Sequence, residues 1–241
     1  MIQSHLMMDF LKPSKLDLTS VIRCHNTISA YALYLLVGNA LLRQEDLSVV
    51  RMADGERLLH LWCRGGALFL SESWLRTEGL LEITREQVLE RMNRASASCT
   101  YFAPSLCGVY SRDFDVYPLP DRERYVDFFF NQVWSEQLKI QLFETAKHVL
   151  FINRSPNMAE KMRKNAAHWG VKLTHLQLSD WREAEGVVEK AKAVDAPLVL
   201  FSAGPASKWI GPAIAQAGNK VALDVGGAAP LWTIPTLGPK S

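Results

Sequence analysis

In the run SVVRMADGE, Asp54 and Glu56 stand on either side of Gly55, three positions after Arg51. Two carboxylates spaced in this way can converge on a hard divalent cation, which prefers oxygen ligands and keeps other positions for water and phosphate oxygens. Gly55 would let the backbone turn tightly beside such a ligand. Arg51 supplies the planar cation best suited to bidentate phosphate contact. By itself the tripeptide also reads as a helix start, with Asp54 as the cap and Glu56 in a first turn that favours negative charge. Spacing alone does not separate these readings.

Three further groups share the same chemistry. Asn153-Arg154-Ser155 and Gly204-Pro205, the latter followed by Ser207 and Lys208, put cations and a glycine turn ahead of helical stretches. Free backbone N–H groups at such helix starts attract phosphate. Asp224-Val225-Gly226-Gly227 closes the last apolar run, where a carboxylate needs a polar cleft or a partner to offset desolvation. Asp224 can serve there as a ribose ligand, as an acceptor for neighbouring N–H groups, or as the base for an acceptor substrate. Other chemistries lose ground. The chain carries no Walker A order, no G-x-G-x-x-G and no G-x-S-x-G. Its histidines offer no close pair on one helix face for zinc, and His60 merely falls one helical turn after Glu56.

The elements that must hold these groups follow from periodicity. Ser20 to Leu42 has helix-forming composition. Val49 and Val50 indicate a buried strand ending near Arg51, and Leu58, Leu59, Leu61 and Trp62 indicate a helix starting at Asp54. Thr84 precedes Gln87 at capping-box spacing and opens a helix to Ala97. Tyr101 to Pro120 reads as turns and short strands, and Arg122 to Thr145 as helical. From HVLFIN to KVALDVG, short apolar runs alternate with helical stretches in a β-α-β-α-β-α-β order, with Gly170 and Gly218 at helix ends.

Continuous apolar strands joined by helices require a parallel sheet covered on both faces. The fold class is therefore α/β: a Rossmann-like parallel sheet sandwiched by helices, with an N-terminal helical segment. Residues 1–46 form that segment, 47–227 the main domain, and the Gly- and Pro-rich 228–241 a loop or tail. In an open parallel sheet ligands bind beyond the carboxyl ends of the strands, and the four groups fall at four such ends.

Composition narrows the setting. A formal charge of +2 over 241 residues gives no reason to expect a nucleic-acid partner. The apolar stretch Ile28 to Leu42 is shorter than the ~20 residues of a membrane span, and the N-terminus lacks signal-peptide features. A cytoplasmic protein is expected, with Cys24, Cys63, Cys99 and Cys107 as reduced thiols. The N-terminal helix can pack internally or against a second copy, so a homo-oligomer stays open.

The corner SVVRMADGE and the late segment LVLFSAGPASKWIGPAIAQAGNKVALDVG together resemble the GT-D-fold glycosyltransferases. That family joins a Rossmann-like domain to a D-x-E metal motif preceded by an arginine, and carries a late G-P turn and a strand ending in D-x-G. Arg51, Asp54, Glu56, Gly204, Pro205, Asp224 and Gly226 match those positions. Ala53 replaces a glycine of the pattern, and Gly227 and Ala229 stand where a His and an acidic residue are expected. The resemblance implies sugar transfer from a nucleoside-diphosphate donor, a UDP-sugar, to a protein or glycan acceptor. It also implies Mn²⁺ or Mg²⁺ at Asp54 and Glu56. Arg51, Asn153, Arg154, Gly204, Pro205, Ser207, Lys208 and Gly226 would then bind the donor, and Asp224 would join the two carboxylates in catalysis. Two rivals use the same residues: a nucleotide-binding hydrolase or phosphotransferase, and a nucleotide-binding module whose catalytic equipment has decayed.

Overall fold

In the computed structural model, which describes residues 27–65, 70–104 and 124–233, the apolar runs become strands. Among the described residues these are β1 (Leu47–Met52), β2 (Tyr101–Pro104), β3 (His148–Asn153), β4 (Lys172–Gln177), β5 (Leu198–Ser202) and β6 (Val221–Asp224). They form one parallel sheet in the order β2-β1-β6-β5-β3-β4. The fold is Rossmann-like α/β, as the alternation predicts.

The helices are α1 (Ala30–Arg43), α2 (Asp54–Cys63), α3 (Glu72–Thr77), α4 (Arg85–Ser98), α5 (Phe130–Val133), α6 (Glu136–Ala146), α7 (Pro156–His168), α8 (Ala184–Ala193) and α9 (Ile210–Gln216). Successive strand side chains point to opposite faces, so each central strand feeds two cores. Val50, Leu150, Ile152, Val199 and Phe201 pack with α2, α4, α8 and α9 on one face. Val49, Val149, Phe151, Leu200 and Leu223 pack with α1, α5, α6 and α7 on the other. Full burial of each such side chain contributes about 1.5–3 kcal/mol, which is why the central strands are mostly apolar.

Local signals set several boundaries. Thr84 accepts from the Gln87 N–H at 3.2 Å while the Gln87 side chain accepts from the Thr84 N–H at 3.0 Å, the reciprocal cap expected from their spacing. Gly170 follows α7 with φ +68°, a left-handed turn that suits glycine. The single helix expected over Arg122 to Thr145 is instead two, α5 and α6, because Ser135 caps a fresh start by accepting from the Leu138 N–H. The readings on residues before Thr27 and on 105–123, including Cys24 and Cys107, lie outside the described residues.

The closing stretch also departs from the loop expected there. Gly226–Trp232 winds as a 3-10 helix. It seats a fully buried Trp232 against Trp134 and Phe143, at ring-centroid distances of 6.0 and 6.2 Å. The Trp232 indole N–H donates to the Asn131 carbonyl at 3.1 Å, so both ends of the side chain are satisfied. Glycine and proline content alone had no means of showing that this tryptophan completes a core. Among the described residues no helix is long and apolar enough to cross a membrane.

Candidate functional site

The carboxyl ends of β1 and β6 carry a cluster of buried charge. Their ladder runs from Leu47 opposite Val221 to Val49 opposite Leu223. Beyond it the Asp224 carboxylate takes over, and its Oδ2 accepts from the Arg51 backbone N–H at 3.0 Å. The Arg51 guanidinium has partners of its own. Its Nε donates to the Phe128 carbonyl at 3.0 Å, and Cζ lies 4.1 Å from the centre of the Phe128 ring. Burial pushes Arg51 below its usual range while Asp224 and Glu56 oppose the shift, and a guanidinium stays charged regardless. Gly226, at φ +46°, closes over this arrangement. A Cβ there would lie 2.5 Å from Arg51 Nη1, so the position admits only glycine without rearrangement.

Glu56 enters the cluster from α2. The N-cap of that helix is Ala53, which has no side chain to cap with, and the Glu56 Oε2 reaches back to accept from the Ala53 N–H at 3.0 Å. The capping role weighed for Asp54 therefore falls to Glu56. Asp54 is the first residue of α2, and its side chain lies outside the described residues.

Lys208 joins the two ends of the cluster. Its Nζ lies 2.6 Å from Asp224 Oδ2 and 3.3 Å from Glu56 Oε1, and all three side chains are buried. Burial works against the ammonium, but the Asp224 and Glu56 carboxylates outweigh it and hold its pKa above the ordinary lysine range. Charges removed from water in this way persist only when paired and hydrogen-bonded.

The remaining predicted residues sit along β3 and β5 and are largely committed to the backbone. Asn153 donates to the Ser202 carbonyl at 2.8 Å and accepts from the Ser155 N–H at 2.5 Å, tying the two strand ends together. Ser207 donates to the Gly204 carbonyl at 2.8 Å and accepts from the Ala203 N–H at 3.3 Å. With Pro205 these bonds shape a 3-10 turn over Gly204–Ser207, so α9 starts at Ile210 rather than directly after the G-P pair. Arg154 grips Glu78 through both of its terminal nitrogens, with Nη1 2.8 Å from Oε1. Gly204, at φ +64°, lies against that pair, where a Cβ would approach Glu78 Oε2 to 2.7 Å.

The structure thus gathers Arg51, Glu56, Lys208, Asp224 and Gly226 into one cluster, and sets Arg154 and Gly204 around Glu78. Glu78, Phe128 and Asn131 were missed in sequence. Asn131 left one signal, as the polar residue ending the run DFFFN; its Nδ2 donates to the Val225 carbonyl at 2.7 Å. Glu78 and Phe128 left none, because both act from connections with no periodicity.

The residues present are compatible with a divalent cation. Glu56 and Asp224 already share one positive group, the Lys208 ammonium, and among the described residues Asp224 Oδ1 is buried without a hydrogen-bond partner. Among the described residues no three His, Cys, Asp or Glu side chains form a metal-holding group, and the Asp54 side chain is not among those described.

Comparison with known families adds one finding. A family model for a GT-D fold-like domain matches residues 84–231. The matched region contains β2 to β6 together with Asn153, Arg154, Gly204, Lys208, Asp224 and Gly226, and it begins after Arg51, Asp54 and Glu56. No curated protein and no solved structure matches the chain.

Proposed function

The chain belongs to the GT-D fold-like domain family, and from that premise we propose that it is a metal-dependent glycosyltransferase. In this reading it moves a sugar from a nucleoside-diphosphate donor, a UDP-sugar, to a protein or glycan acceptor. The observation that carries the proposal is the convergence of Arg51, Glu56, Lys208 and Asp224 at the carboxyl ends of two adjacent central strands. That is where a parallel sheet binds its ligand.

Asp54 and Glu56 would hold Mn²⁺ or Mg²⁺, which when bound supplies a Lewis acid to the departing diphosphate. The chain's own residues supply the rest. Cleaving the bond between sugar and phosphate builds negative charge on the leaving group, and fixed positive groups in a water-poor site stabilise that charge most. Arg51 is buried and held in place by several partners, so it needs little reorganisation to act in this way, and Lys208 is buried against Asp224. Asp224 holds the Arg51 backbone N–H and the Lys208 ammonium, and leaves Oδ1 for a ribose hydroxyl or for the acceptor. Arg154 would reach phosphate only by releasing Glu78.

The test is calorimetric titration with UDP, GDP, ADP and CDP, with and without Mn²⁺, repeated on Glu56→Gln. Metal-dependent binding of UDP that disappears in the variant is expected. Binding of none of the four would overturn the proposal, and turnover of nucleotide without any acceptor would favour a hydrolase.

A further inference from the structure

The D-x-E carboxylate of the proposed metal site is already paired with a cation belonging to the chain. Lys208 Nζ lies 3.3 Å from Glu56 Oε1 and 2.6 Å from Asp224 Oδ2, and Lys208 is only 3% exposed. With Arg51, the four described groups balance, two positive against two negative. Nothing at this spot behaves like a surface lysine, because its ammonium has two carboxylates within 3.3 Å and its stem is enclosed. We propose that Lys208 is a resident counter-cation that holds Glu56 in place in the metal-free protein and competes with a divalent cation for that carboxylate.

The argument rests on charge and geometry. Glu56 Oε2 already accepts from the Ala53 N–H, so Oε1 is the freer oxygen for a metal, and Oε1 is the one that faces Lys208. A divalent ion at Oε1 would meet the ammonium at close range in a medium that screens poorly, and like charges there repel strongly. Binding therefore requires Lys208 to give up Glu56 while keeping its shorter contact to Asp224. The ammonium so released is the one the proposed function assigns to the diphosphate, which would link metal entry to donor binding. This inference rests on the proposed reading of Glu56 as a metal ligand.

The test removes the charge and reads metal affinity directly. Lys208→Met removes both charge and hydrogen bonds. Lys208→Gln keeps a donor for Asp224, and so guards against a variant that fails to fold. Mn²⁺ binding is followed by the loss of the free-ion electron paramagnetic resonance signal, and melting temperature is recorded with EDTA and with Mn²⁺. Mn²⁺ is expected to bind Lys208→Gln at least tenfold more tightly than wild type. Both variants should melt lower than wild type in EDTA and recover more on adding Mn²⁺. Wild-type binding that is unchanged or weaker in Lys208→Gln overturns the role of Lys208 and leaves the metal reading standing. Binding by the variant but not by wild type upholds Lys208 as the resident cation and overturns metal dependence of the natural chain. Binding by neither overturns both.

Discussion

An alanine at position 226 would place a methyl carbon 2.5 Å from Arg51 Nη1, on a backbone whose φ is +46°. The left-handed conformation alone costs a residue with a Cβ roughly 1–2 kcal/mol. Relieving the contact means moving the guanidinium. That guanidinium is held by a 3.0 Å bond to the Phe128 carbonyl and by stacking 4.1 Å from the Phe128 ring. Weakening one charge-assisted hydrogen bond in a buried site adds about 1.5–3 kcal/mol. Gly226→Ala is therefore expected to lose about 2.5–5 kcal/mol of unfolding free energy, read as a lower urea midpoint at unchanged slope. Gly227→Ala is the internal control, since among the described residues a Cβ there meets nothing within 4 Å and no positive φ is involved. It should stay within about 0.5 kcal/mol of wild type. The reasoning is refuted if Gly226→Ala also stays within that margin, or if the two variants lose stability equally.

Other consequences follow from the charged groups. Arg154→Ala would leave the Glu78 carboxylate, 7% exposed, without its partner. The loss should be about 2–4 kcal/mol, below that of a fully enclosed pair because the Arg154 side chain is 28% exposed. A double-mutant cycle with Glu78→Ala should return a coupling of about 1–3 kcal/mol, and a value near zero would remove Arg154 and Glu78 as a structural pair. His60, His148 and His175 are each held below the ordinary histidine range, chiefly by burial. The folded state therefore favours the neutral rings, while the unfolded chain takes up protons near pH ~6.5. Their contribution is complete above that pH and is lost as pH falls through the lower folded values. Melting temperature should drop between pH 7 and pH 5, with a smaller drop in His60→Gln; a flat profile in wild type would contradict this.

The match to the GT-D fold-like domain and the placement of the D-x-E corner support the proposed function from different parts of the chain. The match begins at Thr84, after the corner, so it owes nothing to Arg51, Asp54 or Glu56. The sheet then brings the two parts together, because β1 inserts beside β6 and sets Arg51 against Asp224. Both charged ends converge on Lys208, which extends from the segment between the Gly204–Ser207 turn and α9.

The alternating runs from His148 onward determined the parallel sheet, and the Val49-Val50 pair before the D-x-E corner determined the strand that carries Arg51. Both signals are local, since period and capping are written in neighbouring residues. The sequence also placed Arg51, Asp54, Asn153, Gly204 and Asp224 at or beside strand ends. It did not show what each side chain would meet there. Whether Lys208 faces a phosphate or two carboxylates, whether Arg154 is free or gripped by Glu78, and whether Trp232 belongs to a tail or a core depend on residues distant in the chain. Such contacts leave no periodic trace, because strand order and helix packing bring their partners together, and only the tertiary structure decided them.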